Sequence, residues 1–217
     1  MKKIGALLVL IAALVLMVGV AWAADSQPSA KATAIINNVY AIPMTNVDTG
    51  WVTVHSQQIK TANAKDLFMD VALQCGIFTR TKSELKVGGD SSTATGIIEV
   101  RVWVDNINNL AAPGVVVYDK RVQTLNTELY TALLTSAGLP ITNIGYVELI
   151  LNTLQAHAFN FVMPDVGPGL HTITVQAKLT STESGSSATA MAAVGMGSTT
   201  IESVRMIKGE DIIYVFE

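Results

Sequence analysis

Leu67-Phe68-Met69-Asp70-Val71-Ala72-Leu73-Gln74-Cys75-Gly76-Ile77 places Leu67, Met69, Val71, Leu73, Cys75 and Ile77 on one parity. Asp66, Asp70, Gln74 and Arg80 fall on the other. Side chains of an extended chain alternate between faces, so this period of two predicts one long strand with a buried face. Two further segments repeat it. Ile98, Val100, Val102 and Val104 alternate with Glu99, Arg101, Trp103 and Asp105, and Ile173, Val175, Ala177 and Leu179 alternate with Thr172, Thr174, Gln176 and Lys178. Weaker alternation over 32–42, 51–59, 115–125, 158–163, 188–196, 201–207 and 212–216 brings the expectation to about ten strands.

Turn residues separate these runs. Gly88-Gly89-Asp90, Ala112-Pro113-Gly114, Gly167-Pro168-Gly169 and Ser184-Gly185-Ser186 tolerate positive φ or fix a bend, as antiparallel pairing requires. One segment has helical spacing instead. Val147, Ile150, Leu151, Leu154 and Ala158 sit at i, i+3, i+4, i+7 and i+11, with Asn143 as a cap, which predicts a crossover helix.

The composition agrees with a packed domain. Of 217 residues 50% are hydrophobic and 14% charged, with a net charge of -3, so disorder is excluded and no basic footprint for nucleic acid exists. Cys75 is alone, so no internal disulfide staples the fold; its apolar setting predicts an inert core thiol.

Met1, Lys2 and Lys3 precede an uncharged apolar stretch, Ile4 to Val20, which ends in Ala21-Trp22-Ala23. A basic start, an apolar middle and a small-x-small end are the marks of an export signal. The expected organisation is a signal peptide over 1–23, a flexible leader over 24–31 and a single β-sandwich domain over 32–217, with no membrane contact after cleavage. An uncleaved N-terminal anchor is the alternative, since the apolar run approaches the ~20 residues of a spanning helix.

Few residues carry chemistry. His55, His157 and His171 lack the i, i+2 or i, i+4 spacing that puts two ligands on one face, so no metal site is expected. Glu99, Asp105, Glu128 and Glu148 are carboxylates of the kind that hydrolyse glycosides in pairs, but nothing in the sequence pairs them. Asp165 stands near Gly167 and Gly169 without a calcium-loop run. No catalytic residue and no cofactor are therefore assigned. Trp103 is more informative: it lies on the polar parity of its strand, between Arg101 and Asp105. An exposed ring there can stack on a sugar, with Arg101 and Asp105 beside it and Trp51 and Tyr118 joining if their strands are neighbours. A second candidate lies at the C-terminus, where Ile212, Ile213, Tyr214, Val215 and Phe216 form an apolar run without alternation. Such a strand needs cover on both faces, from its own domain or from another molecule.

Three stretches, Lys60-Thr61-Ala62-Asn63-Ala64-Lys65-Asp66-Leu67-Phe68, Gly169-Leu170-His171-Thr172-Ile173-Thr174-Val175-Gln176-Ala177 and Glu202-Ser203-Val204-Arg205-Met206-Ile207-Lys208, resemble an uncharacterised group of small exported β-sandwich proteins. The second is also similar to the closing strands of immunoglobulin-like and fibronectin-like sandwiches. The resemblance implies a secreted β domain and supplies no activity.

The sequence thus predicts an all-β antiparallel sandwich, jelly-roll or immunoglobulin-like, with one crossover helix. The expected role is non-enzymatic: a structural or interaction protein, secreted, periplasmic or at the cell surface, that self-assembles by terminal strand exchange. The alternatives are a module binding surface glycan through Trp103 and a secreted hydrolase.

Overall fold

The computed structural model describes residues 31–37, 48–139 and 145–206. The expected signal peptide, 1–23, nearly all of the expected leader and the terminal run Ile212 to Phe216 lie outside the described residues. Eight strands and one helix occupy the rest: β1 (Ala32–Asn37), β2 (Val52–Thr61), β3 (Lys65–Glu84), β4 (Ser91–Val104), β5 (Val116–Asn126), α1 (Glu128–Ser136), β6 (Tyr146–Val166), β7 (Gly169–Gly185) and β8 (Ala188–Val204).

The strands form two four-stranded antiparallel sheets, ordered β1-β8-β3-β6 and β2-β7-β4-β5. β1 pairs with β8, β2 with β7, β3 with β6 and β4 with β5, so the chain is one long antiparallel ribbon rolled up until β8 meets β3 and β7 meets β4. That is the jelly-roll order, the first of the two sandwich arrangements the alternation permits.

The alternating apolar residues face one another across the two layers. Leu67 to Ile77 of β3, Ile98 to Val104 of β4 and Ile173 to Leu179 of β7 form one buried cluster with Ile59, Phe161, Val194 and Ile201. Burying apolar area at roughly 25 cal/mol per Å² is what holds an uncross-linked sandwich together. β3 does not stop at Ile77, where its apolar alternation ends. Thr79, Thr81 and Ser83 continue the inward parity and are equally buried, so the strand runs on with a hydroxyl-lined interior. Thr79 Oγ1 donates to Gln123 Oε1 (2.8 Å), and Gln123 Nε2 donates to Thr81 Oγ1 (2.8 Å). Glycine clears space at two crossings. A Cβ on Gly96 would lie 2.8 Å from Ile77 Cγ2, and one on Gly197 would lie 2.5 Å from Leu73 Cδ2.

The crossover helix expected around Val147 to Ala158 is absent, and this segment belongs to β6. Its register with β3 runs unbroken from Met163, opposite Leu67, to Tyr146, opposite Glu84. Val147 and Leu151 share a face with Phe161, while Ile150, Leu154 and Ala158 take the other. A strand apolar on both faces has no period of two, so its residues can satisfy helical spacing by coincidence. The described helix is α1, which the alternation did not signal. Thr127 closes its start, its Oγ1 donating to Glu84 O (2.9 Å) and accepting from Asp90 N (3.0 Å), while Asn126 Oδ1 accepts from Glu128 N (2.7 Å). The runs 188–196 and 201–207 are not two strands. They merge into β8, which a register shift opposite Leu73 and Cys75 keeps paired with β3.

Candidate functional site

The tryptophan surface lies on the outer face of the β2-β7-β4-β5 sheet. Alternation along β4 sends Val102 and Val104 inward and Arg101 and Trp103 outward, as the sequence predicts. Trp103 is half-buried rather than exposed, because the chain after β4 doubles back beside it. Val104 N donates to Asn109 O (3.0 Å) and Ala111 N to Val102 O (2.9 Å), which sets Leu110 opposite Trp103 on one side while Thr174 of β7 lies on the other. The indole Nε1 is sheltered and has no hydrogen-bond partner among the described residues. Arg101 reaches across β7: its Nε donates to Gln176 Oε1 (2.9 Å), and its guanidinium lies 4.2 Å from the centre of the Trp51 ring. Partial burial lowers its pKa from the usual arginine value. Trp51 therefore joins this surface. Tyr118 does not, since it points into the core and its hydroxyl donates to Val71 O (2.9 Å).

Asp105 ends β4 in the left-handed region, φ 63°. Its Oδ1 accepts from Thr172 N (2.8 Å), and its Oδ2 lies 2.8 Å from His171 Nδ1, whose other ring nitrogen is 2.9 Å from Gly167 O. Both imidazole nitrogens are thus spent on fastening the β6–β7 turn to the end of β4. The histidines stand apart. His157 Nε2 is 3.8 Å from Asp119 Oδ2, and buried His55 holds Thr199 Oγ1 at 2.7 Å through Nδ1, tying β2 to β8 across the layers. Burial lowers the His55 pKa. Among the described residues no group of three His, Cys, Asp or Glu side chains is placed to hold a metal.

The carboxylates are not brought together as a catalytic pair. Glu99 faces Lys178 (3.3 Å), raising the lysine pKa through their hydrogen bond, and Glu148 pairs with Arg80. Glu128 opens α1, and Asp165, φ 57°, donates its backbone N–H to Asp66 Oδ1 (3.0 Å). Cys75 is fully buried, and desolvation, assisted by the Asp119 carboxylate, pushes its thiol up to about 12. It is inert as a nucleophile at neutral pH.

What the sequence reading missed is the edge formed by β6. From Tyr146 to Asn160 nearly every residue of this strand is exposed on both faces. Leu154 is 65% exposed and Ile150 53%, on the face away from the second sheet; Val147, Leu149, Leu151 and Phe159 are exposed on the other. β3 takes one side of the β6 backbone. Val162 exchanges both backbone hydrogen bonds with Ala112, so the even-numbered residues direct N–H and C=O away from β3. Among the described residues no backbone partner meets those groups between Glu148 and Asn160. Side chains from β5 brace the strand from beneath: Arg121 Nη2 donates to Thr153 Oγ1 (2.6 Å) and Gln123 Nε2 to Leu149 O (2.8 Å). Tyr146 through Asn160 contains a single formally charged residue, Glu148, and no proline, the two devices that usually blunt an edge.

No protein-family model matches the chain, and no curated protein matches it. Among solved structures, two of infectious bursal disease virus align with it. The Gx strain structure covers 88% of this chain and 37% of that one, at 12% identity and a TM-score of 0.35. The Gt strain structure covers 85% and 44%, at 9% identity and a TM-score of 0.18. The chain thus spans less than half the length of either.

Proposed function

We propose that this is an exported, non-enzymatic structural or interaction protein of the cell envelope or extracellular surface, which self-associates by adding a strand to the open edge of β6. One observation carries the reading: along the edge strand 146–160 most apolar side chains are exposed, and among the described residues no backbone partner meets the outward-directed groups between Glu148 and Asn160. An edge of that kind is a template for strand addition, in which main-chain hydrogen bonds supply affinity. The N-terminal pattern of Lys2, Lys3, the apolar stretch and Ala21-Trp22-Ala23 supports export. The terminal run Ile212 to Phe216, outside the described residues, is one supply of such a strand.

The committed side chains around Arg101, Asp105 and Glu99 support a non-enzymatic role, since each polar head is already held by a neighbour. Sedimentation of the exported chain over a dilution series tests the reading. Concentration-dependent association is expected, and a strictly monomeric protein at the highest concentration overturns it.

A further inference from the structure

Resting on that self-association, we infer that the strand added to β6 is β6 of a second copy, antiparallel about a two-fold axis near Thr153 and Leu154. Two four-stranded sheets then join into one.

Length argues for this partner. The other described edges are β1, six residues, β2, ten, and β5, eleven. Only a second β6 matches the whole 146–160 stretch.

Charge argues for it as well. β5 would bring Asp119, Lys120 and Arg121 against an edge that carries one carboxylate. A parallel, in-register β6 pair would set Glu148 against Glu148. With the axis at Leu154, Glu148 faces Asn160 of the second copy, and the two carboxylates stand roughly 40 Å apart along the strands.

The side chains are complementary in the same register. The outward-directed backbone groups are those of even-numbered residues, so Leu154 meets Leu154, Asn152 meets Ala156 and Ile150 meets Ala158 in hydrogen-bonded pairs. Ile150 and Asn152 thus each lie opposite an alanine. The central leucine already lies over Gly76, with Cδ1 3.3 Å from where a Cβ would stand. An interface built from one patch on both subunits is closed, and it yields dimers rather than fibres.

The chain expressed from its complete sequence, in wild-type form and as Ala156→Pro, Leu154→Lys and Leu154→Cys, tests the inference. The Ala156 N–H points to the outer edge, so proline there leaves the β3 ladder intact and removes a donor only from the intermolecular one. Leu154→Lys puts two ammonium groups at the axis and changes only an exposed side chain, which guards against a misfolded proline variant. Expected results are a wild type of twice the chain mass, a halved mass for the proline and lysine variants, and unchanged circular dichroism for both. Leu154→Cys should form a disulfide-linked dimer under mild oxidation, since hydrogen-bonded partners lie about 5.5 Å apart at Cα and the native Cys75 is buried. Fibres in place of dimers, variants that associate as well as wild type, or association abolished only by deleting Ile212 to Glu217 would overturn the two-fold pairing while leaving self-association standing. A monomeric wild type would overturn both.

Discussion

β5 and β6 lie side by side along one flank of the sandwich, each closing one sheet, and they treat an exposed backbone edge in opposite ways. β5 carries Asp119, Lys120 and Arg121 in succession and turns Tyr118 and Gln123 inward. β6 is nearly twice as long, and its stretch from Tyr146 to Asn160 spends its one charge on Arg80. The first edge is guarded against strand addition and the second is left open to it. Charge on an edge costs a monomer little, so a single charge over fifteen residues supports the proposed partner there.

The two strands depend on each other through Gln123, and cutting that link is the largest change a single substitution should make here. Gln123 is 5% exposed, and its amide serves Thr79, Thr81 and the Leu149 carbonyl. Gln123→Ala leaves buried hydroxyls of β3 without partners and frees β6 from its brace. We expect a loss of roughly 3 kcal/mol in urea unfolding. Faster hydrogen exchange along β6, with the β2 edge unaffected, would locate the damage.

The opposite flank supplies the contrast, because there the layers are pinned by a titratable group. His55 Nδ1 meets Thr199 Oγ1, and Thr199→Val should cost about 1–2 kcal/mol by stranding the imidazole in the core. Acid should act on the same joint. Burial holds the folded His55 pKa below its ordinary 6.5, so the unfolded chain takes up the proton first as pH falls. The stability contributed by neutral His55 is complete above about pH 6.5 and declines below it, toward the lowered folded value. A urea midpoint that falls between about pH 8 and pH 5 in wild type and stays flatter in His55→Gln is the expected pattern. Equal slopes would place the acid sensitivity elsewhere.

How much of this was legible follows from where each residue's partners lie. Leu67 to Ile77 was readable because one face is apolar and the other polar, a local property of eleven residues. Thr79, Thr81 and Ser83 were not, because their burial depends on Gln123 and Ser92 arriving from other strands to meet their hydroxyls. The parity of Arg101 and Trp103 was readable, while the cover over Trp103 depends on the chain after Asp105 turning back along β4. Tyr118 escaped for a related reason: a register shift opposite Ile98 and Glu99 leaves Val117 outside and Tyr118 inside. β6 was the largest miss. Its apolar residues were seen, but which of its two backbone edges is occupied is decided by β3, more than sixty residues earlier. A surface defined by an unoccupied edge has no motif to be recognised.

The smallest expected change in stability gives the sharpest test of the comparison between edges. Lys120 is exposed on β5, opposite Ile97 of β4 and near the exposed Val117 and Val122. Among the described residues the Lys120 ammonium has no hydrogen-bond partner, so Lys120→Ile should shift stability within about 0.5 kcal/mol. It also joins these apolar side chains into one strip along an edge with one guard fewer. Placed in the Ala156→Pro background, where β6 is disabled, the substitution should restore association through β5, measured by sedimentation. If the double variant stays monomeric, Lys120 is not what separates the two edges. The distinction then rests on the charges that remain, Asp119 and Arg121, or on the greater length of β6, and shortening β6 rather than charging it becomes the way to close its edge.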